Sequence, residues 1–128
     1  MSYDEMKKEA WEHVKKPQVG DLFHEMFSCF VLVAYVDKDH VAAFHSRFVP
    51  DDIDGYKSQN FNGHYEWDLY GYTRKGFKKF MSYKHNKGTW AMLMENKYPV
   101  EITKKQVKTR KHFLPNRLYE KLMVKLSK

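Results

Sequence analysis

The stretch 18–45, QVGDLFHEMFSCFVLVAYVDKDHVAAFH, restricts the fold more than any other part of the chain. From residue 27 to residue 36 nearly every side chain is apolar, and Phe, Val and Tyr, which suit a pleated backbone, dominate. An apolar run of that length predicts a central strand covered on both sides. Ahead of it, Leu22, His24 and Met26 alternate with Asp21, Phe23 and Glu25, the pattern of a strand with two unlike faces. Behind it, Asp37-Lys38-Asp39 makes a short turn into residues 41–44. The three segments predict a compact β-meander, opened by Val19-Gly20-Asp21.

The remaining segments are arranged around that meander. Residues 3–16 place Met6, Ala10, Trp11 and Val14 at helical spacing, with acids early and Lys15 and Lys16 late, as the helix dipole favours; Pro17 ends the helix. Residues 47–62 combine Pro50, Gly55, Asp51, Asp52 and Asp54 with several amides, and predict a long loop serving as a lid or contact surface. Alternation over 64–72 predicts a further strand. Residues 80–84 and 89–94 flank His85-Asn86-Lys87-Gly88 and predict a β-hairpin; one helix over 73–83, with Phe77, Phe80 and Met81 inward, is the alternative. A short strand at 100–102, a helical turn capped by Thr103, and a helix over 115–126 with Leu118, Leu122 and Leu126 on one face complete the chain.

A chain of 128 residues with 16% aromatic residues has enough apolar material for one folded domain and too little length for two. The single cysteine, Cys29, excludes an intrachain disulfide and a cysteine-based zinc site. No run approaches the ~18 apolar residues of a membrane span, and the charged N-terminus lacks a signal core, so a cytoplasmic protein with no membrane role is expected.

Charge is divided along the chain. Residues 1–64 hold 7 Lys/Arg against 11 Asp/Glu, a net −4, whereas residues 65–128 hold 16 against 5, a net +11. Such polarisation predicts a basic face for a polyanion and leaves an acidic half, with the 47–62 loop, for a host protein partner. The densest segment is 70–90, where Arg74, Lys75, Lys78, Lys79, Tyr83, Lys84 and Lys87 are interleaved with aromatics and no acid occurs between Asp68 and Glu95. A second cluster, Lys104, Lys105, Lys108, Arg110, Lys111 and His112, continues to Arg117 and Lys121. The seven residues of the first cluster, with Lys104, Lys105, Lys108, Arg110 and Lys111 of the second, are the expected nucleic-acid contacts, arranged in one strip across the hairpin and the final turn. The excess of lysine over arginine, 19 to 4, favours backbone contact over base reading, and hence binding of nucleic acid, double-stranded DNA first and RNA second, with little sequence preference.

Catalytic and metal chemistry leave little trace. The seven histidines include no metal-binding pair, and His40 and His45 fall on opposite strand faces. No P-loop or dinucleotide glycine motif occurs, so neither cofactor nor metal is expected.

The Val19-Gly20-Asp21 opening, the meander, the inserted loop, the hairpin and the Ile102-Thr103 strand-to-turn element resemble an SH3-like barrel of the KOW/Tudor type, over about residues 17–108. The style of the sequence is similar to that of small tailed-phage accessory proteins. The resemblance implies an α+β fold, β-rich, with a barrel flanked by N- and C-terminal helices, and a partner among nucleic acids, ribosomes or modified peptides. It further implies a minority reading, a metal-independent ribonuclease of toxin type using His64, His85, Arg74 and Tyr83, although the toxin motif is absent.

Overall fold

The computed structural model describes residues 2–25, 29–50, 63–85 and 90–128, with side chains left aside at 83–85. Its core is an antiparallel sheet of five strands in the order β4-β3-β2-β1-β5: β1 (Leu22–Glu25), β2 (Cys29–Val36), β3 (His40–Pro50), β4 (Gly63–Thr73) and β5 (Trp90–Met94). The meander forms as the sequence predicts, and β2 is its central strand. Along β2 both alternating sets are buried, Val31 and Val33 on one face and Leu32 and Ala34 on the other. The sheet is open, with β4 and β5 as its two edges, so it does not close into a barrel.

Helices cover both faces. On the first, α1 (Tyr3–Lys15) and α2 (Arg74–His85) contribute Ala10, Val14, Phe77 and Met81 to a core with Phe23, Val31, Val33, Trp90 and Met92. On the second, α3 (Lys104–Thr109) and α4 (Asn116–Leu126) contribute Val107, Leu118 and Leu122 to a core with Leu32, Phe44 and Leu69. Each fully buried aliphatic side chain contributes about 1.5–3 kcal/mol relative to exposure, so both layers hold the sheet. Gly71 lets α4 begin close to the sheet: a Cβ there would stand 2.6–2.7 Å from the tips of Leu118 and Leu114, which would have to move aside.

Three expectations are corrected. The hairpin strand expected at 80–84 is part of helix α2, the alternative reading, with Phe77 and Met81 fully buried. Gly76 is tolerated because it lies in the first turn, where its N–H donates to the Thr73 hydroxyl at 2.9 Å. Residues 100–102 form no strand, although Val100 and Ile102 pack on the second core. Pro115 precedes α4 as its N-cap rather than occupying the first helical position. The Thr103 cap is present as a full capping box with Gln106.

Helix α2 joins the two edges of the sheet. Edge strands β4 and β5 are four strand spacings apart, about 19 Å. A helix of 12 residues spans about 18 Å, which matches that gap. Trp90 at the start of β5 closes the connection, its indole N–H donating to the Met81 carbonyl at 3.2 Å. Past the last register pair with β2, residues 46–50 and 63–67 continue as a two-stranded arm, tied to β2 by the Phe30 N–H donating to the Ser46 hydroxyl at 2.9 Å. Of the expected loop, residues 47–50 belong to this arm, and 51–62 lie outside the described residues.

Candidate functional site

The turn between β2 and β3 gathers cations from four parts of the chain. Asp37 Oδ1 accepts the backbone N–H groups of Asp39 and His40 at 2.8 and 2.7 Å, which fixes the turn, and its Oδ2 accepts from Tyr35 and from Lys121 of α4 at 2.8 and 2.9 Å. Burial pushes the Asp37 carboxyl up, but donation by Lys121, Tyr35 and the two backbone groups outweighs it and holds the group well below the usual carboxylate range. The same network keeps Tyr35 protonated; burial, then the Asp37 hydrogen bond and charge, pushes its hydroxyl up to about 12. From the other face, Arg74 donates to the Asp37 carbonyl at 2.9 Å.

Beside this turn lies a shallow groove of about 470 Å³ lined by Val14, Lys15, Lys38, Arg74, Lys75 and Lys78. Every charged group in the lining is a cation. Lys15 closes α1, Lys38 is the tip of the turn, and the other three occupy the first turns of α2. Cations at a helix N-terminus oppose its dipole, and α2 has no acid in its first turn. Lys15 is ion-paired with Glu12 at 3.1 Å, so the positive field of the groove comes mainly from Lys38 and the three cations of α2. Across the turn, Arg117, Lys121, Lys125 and Lys128 line a second hollow, with Glu120 as its one acid.

The expected contact residues therefore separate into two layers. Arg74, Lys75 and Lys78 enter the groove, and Lys79 is exposed on the same helix. Lys104, Lys105 and Lys108 ride on α3, behind the opposite face of the sheet, so one strip across both clusters does not form. Arg110 is held by the scaffold: its Nε donates to the Leu69 carbonyl at 3.0 Å, and its guanidinium lies 3.9 Å from the Phe113 ring and 4.7 Å from that of Tyr70. Lys111 sits over Tyr119. The side chains of Tyr83 and Lys84, and all of Lys87, lie outside the described residues. The aromatics among the cations serve the core: Phe77 and Trp90 are buried, and Tyr72 and Phe80 pack against them. Lys15, Lys38 and Lys125 were not in either expected cluster, because sequence distance hides what the turn assembles; Lys121, where the second cluster was expected to continue, lies in the second hollow beside Asp37.

His64 and Arg74 stand at opposite ends of β4, about 33 Å apart along the strand, so a ribonuclease site using both is not assembled. Tyr83 and His85 of that reading have side chains outside the described residues. His40 and His45 do fall on opposite faces, His40 beside Lys121 of α4 and His45 against Phe80 of α2.

A second polar constellation lies where α1 meets the chain leaving β5. His13 Nδ1 is 2.9 Å from Oδ2 of the fully buried Asp21, and its Nε2 is 3.3 Å from Glu95 Oε1. Glu9, one helical turn before His13, completes a group whose three ligand-type atoms all lie within 4.8 Å of one another. The Glu9 carboxyl is pushed up, first by its hydrogen bond with Glu95, then by burial and the Glu95 charge. Asp21 also accepts the backbone N–H of Gln18 at 2.9 Å and of Asn96 at 3.2 Å. Gly20, at φ 97°, lets the chain turn there; a Cβ would meet the Asn96 backbone at 3.1 Å.

No protein-family model, curated protein or solved structure matches this chain. Among the described residues no helix is long and apolar enough to cross a membrane. The protein is thus defined by its own architecture, an open antiparallel sheet between two helical layers with a cationic groove at the turn end.

Proposed function

We propose that the protein binds nucleic acid without catalysis and with little sequence preference, duplex DNA first, through the groove formed by Lys15, Lys38, Arg74, Lys75 and Lys78. The observation that carries this reading is a concave lining in which every charge is positive, assembled from three separate elements. Phosphate binding needs several cations converging on one surface, and the local field accelerates encounter with a polyanion. Four of the five are lysines, which act as point charges, and no aromatic lines the groove, so phosphates rather than bases are the fitting partner. An SH3-like kinship belongs to the same proposal, supported by the consecutive meander β1–β4.

A gel-shift panel of duplex DNA, single strands and RNA at two salt concentrations tests the reading. With about four phosphates engaged, log K falls against log salt with a slope of about −3.6 for duplex DNA. Absent or salt-independent binding to every nucleic acid overturns it.

A protein-interaction module is the second reading, favoured by an aromatic face on the arm. Tyr65 and Trp67 are 45% and 38% exposed and lie edge-on or tilted against Phe30, with Phe48 beside Tyr65. Recovery of one protein at unit stoichiometry after nuclease treatment, lost on Trp67→Ala, supports that reading over the first.

A further inference from the structure

We propose that Glu9, His13 and Glu95 form a binding site for a first-row divalent transition metal, zinc foremost, with Asp21 orienting the histidine. The site is independent of the cationic groove and of whether the protein binds nucleic acid.

The local sequence favours chelation. Glu9 and His13 are four residues apart on α1, a spacing that puts both side chains on one face of the helix, a turn apart. Asp21 is fully buried and faces His13 Nδ1 as an acceptor, so Nδ1 is the donor nitrogen and Nε2, the atom facing Glu95, is the one placed to ligate a metal. A carboxylate behind a metal-binding histidine fixes ring orientation and raises ligand basicity. Asp21 is itself held by the backbone N–H groups of Gln18 and Asn96, and Asn96 immediately follows Glu95. One buried side chain therefore sets both the imidazole and the segment that carries the second carboxylate.

The distances agree with a small cation. Zinc bound tetrahedrally at about 2.0–2.1 Å from each ligand separates its ligand atoms by about 3.3 Å. His13 Nε2 and Glu95 Oε1 are already 3.3 Å apart, and the whole set lies within 4.8 Å, so a modest shift of Glu9 closes the triad. Charge agrees as well. In a protein of net charge +7, and among the described residues, neither Glu9 nor Glu95 is ion-paired with a lysine or arginine. Two oxygens and one imidazole nitrogen suit zinc, cobalt or nickel better than magnesium or calcium, which prefer oxygen alone. Three protein ligands leave a fourth position for water. The metal joins the middle of α1 to the end of β5, two elements already in contact.

The test uses the full chain freed of metal with a chelator, then titrated calorimetrically with Zn²⁺ and, in parallel, with Co²⁺ followed by its visible ligand-field bands. One Zn²⁺ per chain, a higher melting temperature with zinc, and tetrahedral Co²⁺ bands are expected. Glu9→Gln and Glu95→Gln, both at least partly exposed positions, keep the melting temperature of the metal-free protein while weakening zinc at least about 10-fold. Asp21→Asn weakens zinc as well, through the histidine, and also lowers the melting temperature of the metal-free protein. Absence of stoichiometric zinc binding overturns the proposal. So does equal affinity in a folded Glu9→Gln/Glu95→Gln double variant, which places the metal elsewhere.

Discussion

The turn end of the sheet and the His13–Asp21 corner both concentrate charge, yet by opposite means. At the turn, long cations converge on a surface groove, while the Asp37 carboxylate beside it is satisfied by two backbone N–H groups, Tyr35 and Lys121. At the corner, a buried carboxylate with three donors sits behind a histidine that faces two more acids. The first region shows up in composition, because lysines accumulate in number. The second consists of four residues and is invisible to net charge. Charge counts identify surfaces, whereas a small polar site is identified by which buried group orders its neighbours.

The corner is expected to be the more fragile of the two. Asp21→Ala leaves the N–H groups of Gln18 and Asn96 and the His13 ring without their acceptor, and a loss of about 3–5 kcal/mol of stability in denaturant unfolding is expected. A cost below about 1 kcal/mol would show that the corner is no more ordered than an ordinary surface cluster. Next in size, the triple reversal Lys38→Glu, Lys75→Glu and Lys78→Glu should weaken duplex binding on the order of 100-fold or more with little change in melting temperature, read by fluorescence anisotropy.

Asp37→Asn tests the anion beneath the turn. Loss of its charge-assisted bonds should cost about 2 kcal/mol. The sign of its pH dependence follows from a folded-state pKa below the unfolded one. The stabilisation is complete above the ordinary carboxylate range, near pH 4, and fades as pH falls through the lower folded value. Acid titration of unfolding should therefore show a slope in the wild type that Asp37→Asn reduces. The smallest effect is expected from Lys104→Glu, Lys105→Glu and Lys108→Glu together: if the groove is the contact surface, affinity stays within about 3-fold at moderate salt, where charges more than about 10 Å away are screened. A loss as large as that of the groove triple would assign binding to both layers.

Most of the scaffold was legible in the sequence. The apolar run of β2, the alternation of β4, the 3.6-residue spacing of α1 and α4 and the Thr103 cap each state a local rule that the fold obeys. Helix α2 was harder to read, because Gly76 and several aromatics argue for strand and turn while Phe77, Phe80 and Met81 keep helical spacing. Packing settled the matter: the helix buries Phe77 and Met81 on the first face of the sheet, between strands that are its two edges. The sites were less legible. Glu9 and His13 stand at chelating spacing, but Glu95 is distant in sequence and no local pattern connects it to them.

The crossing from β4 to β5 also governs how the chain can fold. Strands β1 to β4 pair with sequence neighbours, but Glu25 must wait for Trp90 and Asp21 for Asn96, so one flank of the sheet closes only when nearly three quarters of the polypeptide has been laid down. Loop closure over such separations adds about 0.6 kcal/mol of entropic cost per doubling of length, and topologies with distant partners fold slowly. Until then the edge of β1 presents unpaired amides to any neighbouring chain, which makes the arrival of β5 the step that protects the nascent protein from self-association.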